Sequence, residues 1–401
     1  MSFKKTFKNL PLIEYLFQRK LRGKTVILLV MVLTIVGGSA VIGCVKGLQP
    51  IGWSGGVVEG GSLLVGSKEG KLVAVNLATG SRQWSEALKM PPSGGFGCAA
   101  PMYGGGGCGG GPTGVAIYGT PVMAGDLVYI GGYNGKVYAY NSQSLEARWI
   151  YPREGYLEPI ISGPIAISNK ICFSTSDGEV YALDAATGDK KWEFQIGDKV
   201  WATPASDDDT VYVGSFNNKL YALDAESGKK KWEFETQGAI ASTPLVYNDT
   251  VYAGSLDKNL YAVDTVSGKK KWDFTGGRWF WATPVVYGGV IYAPCLDGKV
   301  YLLDADNGRE VAEAINLDSP VSSSPVMIGG KIIIATQSGI VYTLDTSNNA
   351  IAQIANIDRD VYGPLCASEG IIYIHTQDLT IHPVDTTTGG KLTTISLKSS
   401  E

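Results

Sequence analysis

The chain has 401 residues, of which 44% are hydrophobic and 10% aromatic. That apolar content is enough to bury a core, which excludes a disordered chain. The 52 glycines, 21 tyrosines and 9 tryptophans favour strands and turns over helices. Two histidines disfavour most zinc sites and Ser-His-Asp triads.

The first 44 residues differ from the rest of the chain. Residues 1–24 form a basic arm with seven Lys or Arg and one Glu, a net charge of +6. Residues 25–43 carry no charge and would span about 28 Å as a helix, which is close to one bilayer core. A basic flank before an apolar segment predicts a cytoplasmic N-terminus and an extracytoplasmic body. Since the whole chain carries −4, the remainder carries −10, which argues against nucleic acid as a partner.

Segment 25–44 has more than one interpretation. Its length and the long basic arm favour a transmembrane signal-anchor helix that is retained. Its end, Val41-Ile42-Gly43-Cys44, resembles a bacterial lipobox, in which Cys44 would be lipidated after cleavage. Ordinary signal-peptide cleavage is the third alternative. Each of them places residues 45–401 outside the cytoplasm, at the cell membrane or beyond it.

The body of the chain is one repeated unit. The segment 180–192 recurs at 220–232 and at 260–272, each time after 40 residues. A proline preceded by a small residue marks the start of most units, at positions 121, 164, 204, 244, 284, 325 and 364. An earlier unit without the proline is seen at 63–84, which makes eight units beginning near residue 52.

Each unit contains four strand-like runs separated by Gly, Asn or Asp turns. Four strands in about 40 residues, repeated eight times, predict an all-β, eight-bladed β-propeller of four-stranded antiparallel blades over 52–397, preceded by one N-terminal transmembrane or signal-anchor helix. A Gly- and Cys-rich insertion, 90–115, separates blades 1 and 2. A tryptophan recurs in the last run of the first five units, whereas units six to eight have Ala312, Gln353 and Thr393 there. We expect the tryptophans to lie between blades and the last three seams to pack less well.

The repeat motif ALDAATGDKKW, at 182–192, resembles the PQQ-type propeller repeat named after quinoprotein dehydrogenases. Among proteins of this length it is most similar to BamB-type lipoproteins of outer-membrane protein assembly. The resemblance implies an eight-bladed propeller. It implies function only weakly, because one fold serves many functions.

The same resemblance raises the question of a quinone cofactor. Similarity to the quinoprotein dehydrogenases themselves would imply long insertions, a disulfide between adjacent cysteines and a calcium or lanthanide site. Here no two cysteines are adjacent, and the repeat units carry almost no insertions. We therefore predict no enzyme activity, no cofactor and no metal. A PQQ-binding quinoprotein enzyme is kept as the alternative, together with a ligand-sensing ectodomain.

Two sets of residues are candidate sites. Cys98 and Cys108 lie in the insertion and are predicted to form a disulfide, the alternative being two free thiols. Arg278, Trp279, Phe280 and Trp281 connect units five and six, and Trp201 takes the slot of Trp281 two units earlier. Exposed Trp, Phe and Arg are typical of binding hot spots, so these five residues are the predicted interaction surface. The alternative is that Trp201 and Trp281 cap the blades as part of the core.

These observations predict a membrane-tethered, extracytoplasmic, non-catalytic propeller. We expect it to be monomeric and to act as a scaffold that binds an envelope or membrane protein, in envelope or outer-membrane protein assembly.

Overall fold

The computed structural model describes residues 54–67, 69–89 and 115–398, which all belong to one compact unit. Their 32 strands form eight four-stranded sheets, each built from consecutive antiparallel strands. The predicted all-β, eight-bladed propeller is confirmed. Segments 1–24 and 25–44 lie outside the described residues, as do 90–114 with Cys98 and Cys108. Within the described ranges, no helix is long and apolar enough to cross a membrane.

Blades 1 to 4 follow the chain in order. The strands of blade 1 are β1 (Gly56–Glu59), β2 (Ser62–Gly66), β3 (Leu72–Asn76) and β4 (Arg82–Trp84). Those of blade 2 are β5 (Val122–Ala124), β6 (Leu127–Gly132), β7 (Lys136–Asn141) and β8 (Ala147–Tyr151). Those of blade 3 are β9 (Ile165–Ile167), β10 (Lys170–Ser174), β11 (Glu179–Asp184) and β12 (Lys190–Gln195). Those of blade 4 are β13 (Ala205–Ser206), β14 (Thr210–Gly214), β15 (Lys219–Asp224) and β16 (Lys230–Glu235).

Blades 5 to 8 repeat the same order. The strands of blade 5 are β17 (Leu245–Tyr247), β18 (Thr250–Gly254), β19 (Asn259–Asp264) and β20 (Lys270–Thr275). Those of blade 6 are β21 (Val285–Tyr287), β22 (Val290–Pro294), β23 (Lys299–Asp304) and β24 (Ile315–Asn316). Those of blade 7 are β25 (Val326–Ile328), β26 (Lys331–Ala335), β27 (Ile340–Asp345) and β28 (Ile351–Asn356). Those of blade 8 are β29 (Cys366–Ser368), β30 (Ile371–Thr376), β31 (Thr380–Asp385) and β32 (Ile395–Ser396).

The core lies between blades, where the second and third strands are buried on both faces. In blade 3 the Asp184 carboxylate accepts hydrogen bonds from the backbone N–H groups of Ala186 and Thr187, at 3.0 Å each, and so fixes the turn after β11. This Asx turn presents its glycine, Gly188, to the preceding blade.

A tryptophan and that glycine join neighbouring blades at four seams. At the seam between blades 3 and 4, the Trp192 indole lies under Gly228 and donates its N–H to the Ala225 carbonyl at 3.0 Å. The same bond joins Trp149 to Ala185, Trp232 to Thr265 and Trp272 to Ala305, at 2.7–2.9 Å. The prediction that the repeated tryptophans lie between blades is confirmed at these four seams. We call this arrangement the Trp–Gly lock.

The ring closes without a shared strand, because blade 8 and blade 1 are each built from one continuous stretch of chain. Apolar side chains of both blades form one core cluster, which includes Leu63 and Ile381. The Arg82 guanidinium donates to the Ser396 carbonyl at 2.6 Å. The His375 Nδ1 lies 2.9 Å from the Ser54 carbonyl oxygen.

Two alignments inferred from the repeat are wrong by one residue. Pro325 directly precedes β25, but Leu365, not Pro364, directly precedes β29. In blade 7, Ala352 pairs with Thr343, as Trp192 pairs with Ala182 in blade 3. Gln353 therefore does not take the tryptophan slot, because the β-bulge of this blade lies two residues farther along the fourth strand than in blade 3.

Candidate functional site

The linkers that enter the blades lie on one face of the propeller, together with the turns between second and third strands. The Phe216 N–H donates to the Lys199 carbonyl at 2.9 Å, which holds the linker into blade 4 against that blade's own turn. Leu296 and Trp279 form the same bond in blade 6, at 3.1 Å. We call these linkers and turns the mouth face.

Each of the linkers into blades 2 to 8 carries a buried apolar residue followed by a half-buried one. The buried residues are Ile117, Ile160, Val200, Ile240, Phe280, Val321 and Val361. The half-buried residues that follow them, which we call the mouth ring, are Tyr118, Ile161, Trp201, Ala241, Trp281, Ser322 and Tyr362. Aromatic members of the ring enter blades 2, 4, 6 and 8, and smaller side chains enter blades 3, 5 and 7.

Two of the aromatic members, Trp201 and Tyr118, lie against aromatic neighbours on the same face. The Trp201 and Phe216 ring centroids are 4.3 Å apart. Tyr118 and Tyr133 lie 5.3 Å apart in blade 2, and burial raises the pKa of Tyr118. A supported ring loses little side-chain entropy on binding, which suits it to a recognition surface.

Of the five predicted interaction residues, four are at least partly accessible and one is buried. Trp201 and Trp281 belong to the mouth ring, Trp279 is half-buried on the linker of Trp281, and Arg278 is exposed. Phe280 is 1% exposed and packs against Tyr301 at 5.9 Å between centroids. The prediction that Phe280 belongs to the surface is therefore wrong. Side chains alternate along the linker, so its neighbours point outward while Phe280 points into the seam.

Sequence reasoning missed Tyr118 and Tyr362. Tyr118 stands three residues before Pro121, as Trp201 stands three residues before Pro204, and this spacing could have identified it. Tyr362 stands three residues before Leu365, and the alignment on Pro364 concealed that relation.

Hydroxyl groups below the mouth ring tie the inner strands together. Thr203 accepts a hydrogen bond from the Gly163 N–H at 3.0 Å, and Ser324 accepts one from the Thr283 N–H at 3.1 Å. Each bond crosses from one blade to the next. The backbone beneath the mouth ring is therefore held in place by hydrogen bonds between neighbouring blades.

The charges of the mouth face are mainly negative from the linker into blade 4 onward. Between 196 and 378 its carboxylates are Asp198, Asp257, Asp297, Asp318, Asp358, Asp360 and Asp378, and its cations are Lys199, Lys258, Arg278 and Arg359. Arg359 is paired with Asp378 at 3.2 Å. Seven acids against four bases favour a partner with cationic and apolar groups.

Reactive side chains are few within the described ranges. No group of three His, Cys, Asp or Glu there could hold a metal ion. Burial raises the pKa of Cys172 to about 12 and that of Cys295 to about 11, so both thiols are unreactive at neutral pH. His375 and His382 bond to the Ser54 carbonyl and to the Thr376 hydroxyl, as residues of the last blade.

A family model described as outer membrane protein assembly factor BamB matches residues 51–194 and 176–393. These two matches span nearly all of the propeller. The chain belongs to this family.

The BamB family assignment agrees with a sequence relative. A stretch of 109 residues is 28% identical to the outer membrane protein assembly factor BamB of Alteromonas naphthalenivorans, and it covers 23% of this chain and 26% of that protein. The match thus spans about a quarter of the relative's length.

Solved structures share the propeller of this BamB family member. BamB from Moraxella catarrhalis superposes with a TM-score of 0.63 at 19% identity, covering 84% of this chain and 96% of that one. The computationally designed Ika8 protein gives 0.66 at 13% identity, with coverage of 87% and 98%. Sqt1 of Saccharomyces cerevisiae gives 0.60 at 14% identity, with coverage of 68% and 82%. At these identities the likeness concerns the fold alone.

Proposed function

We propose that this propeller is a non-catalytic scaffold that binds an envelope protein in outer-membrane protein assembly, and that the mouth ring is its docking surface. Membership of the BamB family supports the assembly role. The observation that carries the docking surface is the alternation of half-buried aromatic residues around one face, two of which lie against neighbouring rings. Trp and Tyr held in place beside charged groups form the usual centre of a protein-binding hot spot.

The proposal places the propeller outside the cytoplasm, tethered by segment 25–44. The tether is either a retained helix or a lipid on Cys44. The basic arm supports this orientation, since basic residues beside a membrane segment remain on the cytoplasmic side.

The proposal includes no quinone cofactor. PQQ is a planar tricarboxylate, and a site for it needs several cations around an aromatic stack. The mouth face has the aromatic groups, but its seven carboxylates would repel such a ligand and Arg359 is already paired with Asp378. The residues present therefore do not fit PQQ.

The test is crosslinking in intact cells, followed by affinity purification and mass spectrometry. The test variant is Trp201→Ala/Trp281→Ala, which removes two members of the mouth ring. The control is Val266→Ala/Tyr287→Ala, which removes two exposed apolar side chains, 83% and 47% accessible, from the opposite face, one in the turn after β19 and one at the end of β21. We expect an envelope protein that crosslinks to the wild type and the control and is lost from the test variant.

Urea unfolding of all three proteins shows that the variants keep the fold. A partner retained by the test variant would place the docking surface elsewhere. A wild type that crosslinks to no envelope protein, and instead quenches its tryptophan fluorescence with PQQ, would refute the scaffold and the absence of a cofactor together.

A further inference from the structure

A groove of about 610 Å³ opens at the outer rim between blades 1 and 2, away from the mouth ring. Its walls are mostly apolar and aromatic, and include Trp84, Leu88, Tyr138, Tyr140, Leu145 and Ile150. Ile150 is 38% exposed there and the nearby Tyr156 is 40% exposed. Apolar side chains left in water at a concave site are typical of a binding surface.

The groove exists because the Trp–Gly lock does not close this seam. The slot of Gly188 and Gly228 is occupied in blade 2 by Leu145, at a φ of 54°. Its side chain is 4% exposed and occupies the space in the seam where, in the locked seams, an indole packs against a glycine. In addition, β4 has three residues, so the rim of blade 1 is short.

The outer strand of blade 2 also lacks the charges that its counterparts carry. In blades 3, 4 and 5 the corresponding slots hold the ion pairs Lys190–Glu193, Lys230–Glu233 and Lys270–Asp273, at 2.5–2.8 Å. In blade 2 the same slots hold Ala147 and Ile150, which pair with Tyr140 and Tyr138 across the sheet. Lysine on an edge strand discourages pairing with another chain. Of the two consecutive lysines of β12, Lys190 and Lys191, only Lys191 has a cationic counterpart in β8, which is Arg148.

We propose that β8 and this groove bind an extended segment of a partner protein by strand addition. β8 is the last strand of its sheet, so its outer edge can accept another strand. Every second side chain of the added strand would enter the groove against Trp84, Leu88 and Ile150, and those between would face solvent. The partner segment is therefore an alternating apolar and polar strand. The proposal concerns a second surface and does not depend on the mouth ring.

The test uses the whole chain and a synthetic ten-residue peptide with valine at alternate positions and Thr or Ser between. A peptide of the same composition with its valines grouped at one end is the control ligand. The test variant is Ala147→Lys/Ile150→Glu, which installs the ion pair of blades 3 to 5. Because three blades carry that pair in the same slots, the variant should fold. We expect the variant to bind the alternating peptide at least about tenfold more weakly, and the wild type to prefer it over the grouped peptide by a similar factor.

Two further measurements distinguish strand addition from other contacts. Hydrogen exchange should slow at the backbone amides of β8 when the alternating peptide binds, and should not change in the linkers into blades 4 and 6, which carry Trp201 and Trp281. The reverse variant in blade 4, Lys230→Ala/Glu233→Ile, should not gain a peptide site, because the Trp192 lock closes the seam beside it.

Three results would overturn the proposal. One is equal binding of the alternating peptide by the wild type and the Ala147→Lys/Ile150→Glu variant. A second is slowed exchange in the linkers into blades 4 and 6 with none in β8. A third is concentration-dependent self-association that the variant abolishes, which would assign the groove to a second copy of this chain.

Discussion

The four seams from blade 2 to blade 6 differ from the seam between blades 1 and 2 and from the seam between blades 7 and 8. Four consecutive seams are closed by the Trp–Gly lock with nearly constant geometry. The seam between blades 1 and 2 has Leu145 in the glycine slot and opens into a groove. The seam between blades 7 and 8 brings Gly389 against the Ile354 backbone instead of an indole. The repeats that keep both the tryptophan and the glycine therefore hold neighbouring blades together. Where a repeat departs from that pattern, the seam is packed differently, and between blades 1 and 2 it leaves a groove.

The largest effect should come from removing one lock. Trp232→Ala deletes a side chain that is 9% exposed and a hydrogen bond to the Thr265 carbonyl, so the free energy of unfolding should fall by about 3–5 kcal/mol. Urea unfolding measures it. The matched control is Trp84→Ala, at the open seam. Because this indole is only half-buried, its loss should lower the free energy of unfolding by about 1–2 kcal/mol. Equal losses at both positions would show that the lock adds nothing to ordinary burial.

A second variant tests the glycine half of the lock. Gly228→Ala places a Cβ 2.6 Å from the Trp192 ring at a φ of 71°, and the free energy of unfolding should fall by about 3 kcal/mol. Gly80→Ala has nearly the same φ, 70°, with no atom within 4 Å of the new Cβ. It should cost about 1–2 kcal/mol through backbone strain alone. The difference between the two measures the packing contribution, and its absence would contradict the proposed contact.

The smallest effect concerns the seam that closes the ring. Burial lowers the pKa of His375 below its ordinary value of 6.5, more strongly than the nearby Asp378 raises it. The unfolded chain therefore takes up a proton that the folded chain excludes, and stability falls as the pH drops below about 6.5. His375→Gln should remove on the order of 1 kcal/mol of that decline between pH 7.5 and pH 5.

The measurement for His375 is the urea midpoint at both pH values. His382→Gln is the comparison variant: burial also lowers the pKa of His382, so this variant should reduce the decline too, but its partner, Thr376, lies within blade 8 and the seam is left unchanged. A wild type and a His375→Gln variant with the same pH dependence would show that this histidine does not titrate during unfolding.

Much of the candidate site could be inferred from spacing, because the 40-residue period shows which residues take equivalent positions in different blades. Trp201 and Trp281 were found in this way. Phe280 was assigned to the wrong environment, because a run of three aromatic residues does not reveal which of them faces the seam. Tyr362 was missed because Pro364 stands in the slot of Thr203, and only strand pairing shows the shift. The open groove could not be predicted at all, since it results from a leucine in a left-handed turn conformation and a strand shortened to three residues.

The sequence by itself determined that this protein is a ring of eight similar sheets, because a 40-residue period with four short strands cannot bury its faces except against copies of itself. It also determined where tryptophans and turn residues would recur. The tertiary structure decided which seams are closed and which residues reach the surface. Those outcomes depend on contacts between blades, where a tryptophan in one repeat meets a glycine or a leucine of the next. A local pattern does not contain that pairing.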